Sequence, residues 1–269
     1  MRKLAMALIG TAAIATAQNV TVWKDAAGNM VVKNLSSWRA KRLSEKAISF
    51  KGIGAPFEAT WKEQGLTVRA QSMEGTAQKD AKGAYQLQKA SIRDVASATI
   101  EETVDGAART TELWCRTIQY DGTDSKADLS GPVHIVSKVP SQSQSLEVSG
   151  SSAHLTLTPI GEKSDWPIRS ATVEGPITMR LDSLERDPTG KEEPRKVRVT
   201  GKANRATFND SARTITLVGK VELKGSDSII GAEVKADRVV ITLNEKREIV
   251  DIEFSGSPGR SEIRDGGRR

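Results

Sequence analysis

The 269-residue chain has a single cysteine, Cys115, so no intramolecular disulfide can close and stability must come from burial and hydrogen bonding. Set in Leu113-Trp114-Cys115, that thiol reads as a small buried apolar residue. Histidine is nearly as scarce. His134 and His154 are the only two, each inside strand-like alternation, without neighbouring Cys, His or paired carboxylates at ligand spacing, so no metal site is expected. The sequence has no Gly-x-Ser-x-Gly elbow and no Gly-x-x-x-x-Gly-Lys-Ser/Thr loop, which excludes two common hydrolase and phosphate-binding devices. Aromatic residues make up 4% and are not regularly spaced, so stacking on nucleic-acid bases is not expected. No cofactor and no catalytic residue is assigned.

Long apolar runs are confined to the N-terminus. Arg2 and Lys3 precede the run Leu4 to Ile14, and Ala15-Thr16-Ala17 forms a small-x-small site before Gln18. This is the pattern of a secretory leader, residues 1–17, and it predicts an exported, periplasmic product. Gln18, Asn19 and Lys24 interrupt the run before it reaches the length of a membrane span. Lys and Arg number 40 against 34 Asp and Glu, a net charge of +6 that falls to about +4 once Arg2 and Lys3 are removed. That mild excess suits an anionic partner without demanding one. Residues 257–269 form a Gly/Arg tail expected to be disordered.

The rest of the chain is dominated by period-two alternation. Ile215, Leu217, Val221 and Leu223 alternate with Thr216, Val218, Lys220 and Glu222, and Val239, Ile241 and Leu243 alternate again. This spacing predicts strands with one apolar face. Val20 to Trp23 and Met30 to Val32, joined through Ala27-Gly28-Asn29, read as a first hairpin. Ser36 to Lys46 is the best helix candidate, with Ser36 or Ser37 as its cap. Residues 47–112 read as short strands and polar loops.

Glycine recurs at one phase of this pattern. Ala127-x-Leu129-x-Gly131-Pro132-Val133, Ala171-x-Val173-x-Gly175-Pro176-Ile177 and Ile215-x-Leu217-x-Gly219-Lys220-Val221 superpose, with glycines 44 residues apart. A looser version places Gly52, Gly150, Gly201 and Gly256 after two alternating apolar residues. Glycine packs nothing inside a strand, so the recurrence predicts corners at Gly131, Gly175 and Gly219 where the strands bend. The residues thus describe an all-β roll or solenoid of stacked, bent strands with open edges.

The unit Ala203-x-x-Ala206-x-Phe208-Asn209-Asp210, then Arg213-x-Ile215-x-Leu217-x-Gly219-x-Val221-x-Leu223, Ala236-Asp237-Arg238-Val239-x-Ile241-x-Leu243 and Ile249-x-x-Ile252-x-Phe254-x-Gly256 resembles the OstA-like domain of lipopolysaccharide-transport proteins of the LptA and LptC kind. Ile118 to Asp121 followed by Leu129 to Ile135 resembles a second copy. The resemblance implies an elongated antiparallel β-jellyroll, V-shaped in section, whose apolar groove receives acyl chains, and which joins other jellyrolls by edge-strand addition. It covers residues 113–256, and residues 18–112 continue the roll as a β-rich segment. The family commonly has asparagine after the glycine, where this chain has Pro132, Pro176 and Lys220.

The expected function is a non-enzymatic periplasmic carrier or bridge for lipopolysaccharide or another anionic glycolipid, self-association through the same edges being allowed. Its groove would be lined by Val199, Phe208, Ile215, Leu217, Val221, Leu223, Val239, Ile241, Leu243, Ile252 and Phe254. The densest basic cluster is Arg195, Lys196, Arg198, Lys202 and Arg205, either a phosphate contact or a solvated edge. Two alternatives stay open: a polysaccharide-active β-solenoid enzyme using Asp237 and Asp251, and a structural envelope protein that assembles through its edges.

Overall fold

The computed structural model describes residues 23–24, 30–62, 65–81, 83–104, 107–140, 144–159, 168–185, 195–225, 233–245 and 248–256. The leader, the Gly/Arg tail and the turn at 27–29 lie outside the described residues. Among the described residues, fourteen strands form one antiparallel sheet: β1 (Trp23–Lys24), β2 (Met30–Arg42), β3 (Ala47–Trp61), β4 (Leu66–Lys79), β5 (Tyr85–Val104), β6 (Ala107–Trp114), β7 (Thr117–Asp121), β8 (Lys126–Val139), β9 (Gln144–Leu157), β10 (Ile168–Glu185), β11 (Arg195–Asn209), β12 (Thr214–Gly225), β13 (Glu233–Leu243) and β14 (Ile249–Ser255). Strands pair in chain order, except that β6 and β7 both sit between β5 and β8. β6 pairs with one half of β5 and β8, and β7 with the other half. Together they act as a single strand interrupted at Cys115-Arg116.

That interruption belongs to a seam crossing the whole sheet. The register slips between Ser130 and Val133 in β8, between Glu174 and Ile177 in β10, and between Val218 and Val221 in β12. Gly131, Gly175 and Gly219 lie inside these slips with φ of 87°, 96° and 80°. The left-handed region is open to glycine and costly for other residues, so the bulges require it. Pro132 and Pro176 complete two of them. The third uses Lys220, itself at φ 50°, a strained choice for a side chain with a Cβ. Towards the N-terminus the same line passes through Asp94 (φ 53°) in β5, a slip between Ile53 and Phe57 in β3, and Asn34 (φ 60°) in β2. The sheet therefore has a first wall, residues 35–42 of β2 through β14, and a second wall, β1 through residues 233–236 of β13.

The apolar side chains of both walls form one buried cluster from Met30 to Ile252. Residues 112 and 113, between which the sequence divides the N-terminal β-rich segment from the OstA-like unit, both lie in β6.

The expected helix at residues 36–46 is overturned. β2 runs through Arg42 and pairs with β3 from Ser37↔Ile53 to Arg42↔Ile48. Its helical pattern was thin, whereas pairing with β3 satisfies the backbone and stacks Trp38 on Phe50, ring centroids 5.4 Å apart. Tertiary pairing outweighs a weak local propensity here.

Candidate functional site

Because the slips fall in line at the seam and the pairing resumes on either side of it, side chains on the inner face line up across the strands of each wall. In the first wall one row runs Trp38, Gly52, Met73, Ile92, Ile118, Leu129, Ala153, Val173, Ala206, Leu217, Val239, Phe254, each directly paired with the next. Every member is apolar or glycine. At about 4.8 Å per strand this row is about 50 Å long. A parallel row closer to the mouth of the fold includes Phe50, Tyr120, Leu155, Phe208, Ile215, Ile241 and Ile252. In the second wall a row passes from Val32 through Val68, Leu113, Val148 and Met179 to Leu223 and Val234.

Of the residues named from sequence, Phe208, Ile215, Leu217, Leu223, Val239, Ile241, Ile252 and Phe254 fall on these rows. Val199, Leu217, Val221, Leu223, Val239 and Ile241 are fully buried, as are, within a few per cent, Ile215, Leu243 and Ile252. Phe208 is half-buried, and Phe254, at the end of its row, is 40% exposed. The walls thus pack on one another, and the interior is largely filled. At the N-terminal end the filling is by Trp61, Phe57, Met30 and Met73, bulky residues that the sequence reading did not single out, because the alternation there is patchy.

Among the described residues, two slots open between the walls. One, of about 50 Å³, is lined by Ile135, Val148, Ala171, Val173, Ala206 and Phe208 among others. The other, of about 40 Å³, reaches the mouth beside Arg109, Gln144, Leu181 and Leu243. Both are bordered by Ser137, Leu146, Phe208 and Ile215. Each is of water-molecule scale, so a longer chain can enter only as the walls part. A larger polar cavity of about 730 Å³ lies at the rim of the first wall, among Gln78, Asp80, Gln86, Asp124 and Arg169.

The glycines of the seam are held by close approach. A Cβ on Gly175 would stand 2.2 Å from Ser151 Oγ, and one on Gly219 2.7 Å from Asn204 Nδ2. Gly150 and Gly201 make room differently: a Cβ there would meet Val173 Cγ1 at 2.5 Å and Leu223 Cδ2 at 2.7 Å. These two admit inward side chains of the neighbouring strand. Cys115 is buried at the seam, where burial outweighs a hydrogen bond from Sγ to the Thr117 carbonyl and pushes the thiol from 9.0 up to about 11.

The outer face carries the charges. Arg198 and Arg205 of the basic cluster are engaged across strands, Arg198 Nε with Asp182 at 2.6 Å and Arg205 Nε with Glu174 at 2.7 Å. The cluster lies on β11, an interior strand, not on an edge. Burial works against the charge of Asp182, but hydrogen bonds from Arg198 and Arg180 outweigh it and hold the carboxyl below its ordinary range. His154 Nδ1 lies 2.7 Å from Asp128, and His134 Nδ1 2.8 Å from Ser149. Asp237 and Asp251 are not brought together: Asp237 lies at the seam against Gly256, while Asp251 stands opposite Thr242 further along β14.

No family model matches the chain, and no curated protein does. Among solved structures, the fold is similar to LptH of Pseudomonas aeruginosa, described as the LptA-homologous periplasmic component of the lipopolysaccharide transport device. The TM-score is 0.37 and the identity 11%, over 59% of this chain and 89% of that one.

Proposed function

We propose that the protein is a non-enzymatic periplasmic carrier that holds the acyl chains of lipopolysaccharide, or of a similar anionic envelope lipid, between its two walls. The observation that carries this reading is the unbroken apolar row from Trp38 to Phe254. Burying a methylene is worth about 0.8 kcal/mol, so a ten-carbon chain exposed to water costs about 8 kcal/mol. A carrier crossing an aqueous compartment has to cover that chain throughout, and an apolar track without a fixed polar site lets it slide. The slots between the walls mark where parting begins.

The ends of the sheet support docking by strand addition. β14 pairs with β13 alone, and residues 35–42 of β2 pair with β3 alone among the described residues. On the outer face β14 presents Asp251 and Glu253, at the levels of Lys41 and Arg39 in β2. Unpaired edges of matching register and opposite charge suit a second jellyroll or another copy of the chain.

Mass spectrometry of lipids extracted from the protein purified from its own envelope tests the reading. It predicts a stoichiometric acylated glycolipid. Recovery of bulk phospholipid in proportion to the membrane, or of no lipid, would count against it.

A further inference from the structure

Between the walls, the inward polar groups are already paired. Thr111 Oγ1 donates to Ser137 Oγ at 3.1 Å, and Arg109 and Gln144 have partners of their own. The cavity of about 730 Å³ at the rim of the first wall is different in kind. It exists because one hairpin is short. β7 and β8 pair up to Asp121↔Lys126, and residues 122–125 close the turn. On one side β5 extends past its last pair with β7, Lys89↔Asp121, as far as Tyr85, which pairs with Lys79 of β4. On the other side β9 extends past Lys126↔Thr156 to Leu157, which pairs with Ile168 of β10. The rim is therefore notched at β7 and β8. Gly122 N donates to the Gln88 carbonyl at 2.6 Å and Leu157 N to the Ser125 carbonyl at 2.7 Å, tying the turn to both flanks.

The lining suits a group rich in hydroxyls. Lys79 and Arg169 are matched by Asp80 and Asp124, so the lining carries no net charge to draw an anion. Asp80, Gln86 and Arg169 already have partners. Asp80 accepts from Ala84 N at 2.9 Å and from Gln86 Nε2 at 3.4 Å, and Asp124 pairs with Lys126 at 3.3 Å. These groups shape the notch, and recognition falls to Gln78, Gln88, Ser125 and Thr156, which also line it. Amides and hydroxyls both donate and accept, as sugar hydroxyls do. Gln88 is the extra residue of a bulge, since Thr76↔Lys89 is followed by Ala77↔Leu87, and bulges re-aim side chains. Leu157 and Pro159 add an apolar flank on which the C–H face of a sugar ring can rest. The volume falls within the range of small-molecule sites, about 300–1,000 Å³.

The notch also adjoins the apolar track. Tyr120 stands in the row nearest the mouth, between Ala90 and Ala127. A Cβ on Gly122 would lie 3.1 Å from the Tyr120 hydroxyl and 2.8 Å from the Leu87 carbonyl, so the bare glycine of the turn keeps that hydroxyl beside the cavity. A ring among apolar side chains with its hydroxyl at a polar edge marks a junction between hydrocarbon and water.

Resting on the lipid-carrier reading, we propose that this notch binds a saccharide unit at the head of the carried lipid, its chains passing over Tyr120 into the space between the walls. Gln78, Gln88, Ser125 and Thr156 hydrogen-bond the sugar hydroxyls. A head seated midway along the sheet fixes where the chains enter and separates a glycolipid from a phospholipid of equal chain length.

The test is calorimetric titration of the full mature chain with n-dodecyl maltoside, a dodecyl glycol ether, n-dodecyl phosphate and free maltose, the amphiphiles kept below micelle formation. Dodecyl maltoside should bind at least about tenfold more tightly than the glycol ether, equivalent to about 1.4 kcal/mol, which one or two net hydrogen bonds supply. Gln88→Ala and Thr156→Val should each cut this preference by about threefold or more and leave glycol ether binding in place. Equal binding of maltoside and glycol ether by the wild type, or an unchanged preference in both variants, overturns the notch while leaving the carrier reading intact. Tighter binding of dodecyl phosphate than of the maltoside overturns the saccharide assignment. Free maltose binding as tightly as dodecyl maltoside overturns the link to a lipid head. Binding of no amphiphile overturns both readings. Should one variant fail to fold, the wild-type ratio and the other variant decide.

Discussion

Trp38 and Phe254 stand at opposite ends of the sheet in a single row of directly paired, inward-facing residues. One-residue slips would flip a strand's apolar set to the outside, so the row exists only because each bulge at the seam is matched by its neighbours. The seam is therefore where single changes should act most sharply.

Gly175→Ala adds a Cβ at φ 96° and drives it to 2.2 Å from Ser151 Oγ. A destabilisation of about 1–3 kcal/mol is expected from backbone strain alone. Gly83→Ala is the control, because Gly83 also has positive φ (84°) but nothing lies within 4 Å of its would-be Cβ. Urea unfolding midpoints should fall clearly further for Gly175→Ala. Equal shifts would mean that close packing at the seam contributes nothing.

Lys220 is the weak point of the third bulge, with φ 50° beside Gly219 at 80°. Lys220→Asn or Lys220→Gly should raise the melting temperature, by the equivalent of about 0.5–1 kcal/mol, since both residues tolerate the left-handed region better. A lower melting temperature in both variants would contradict this.

Cys115 should resist alkylation at pH 8 in the folded protein and react readily in denaturant. Because its folded pKa, about 11, lies above the ordinary 9.0, the folded state holds the proton more tightly. The contribution to stability is complete below pH 9 and is lost as pH rises through 11. Cys115→Ala should remove that component from the alkaline limb of the stability curve.

Asp182 works in the opposite sense. Its folded pKa is depressed, so its contribution is present above the ordinary carboxylate pKa and is lost as pH falls through the lowered value. In Asp182→Asn the difference in unfolding free energy from wild type should shrink as pH is lowered. A constant difference would assign the effect to packing.

Much of the fold is legible in the residues. The 44-residue spacing of Gly131, Gly175 and Gly219 corresponds to every second strand, β8, β10 and β12, because two strands with their turns make one repeat. Alternation marks β12 and β13 because their outer faces are polar and their inner faces aliphatic. Residues 36–46 misled because Ser36 and Ser37 offer a helix cap and the apolar residues after them are too sparse to set a period, and only the pairing partner β3 decides. Arg109 and Thr111 gave no signal, since a polar residue at an inward phase reads locally as an outward one. The closeness of the walls was equally invisible, for it depends on Trp61 and Phe57 meeting residues far away in sequence.

The central claim is that acyl chains lie between the walls. Photo-crosslinking amino acids placed singly at the inward Leu217 and Ile241 and at the outward Thr216, with irradiation of intact cells, test it most directly. The account predicts an acylated glycolipid adduct at Leu217 and Ile241 and none at Thr216. Adducts at Thr216 alone, or at all three positions alike, would contradict it.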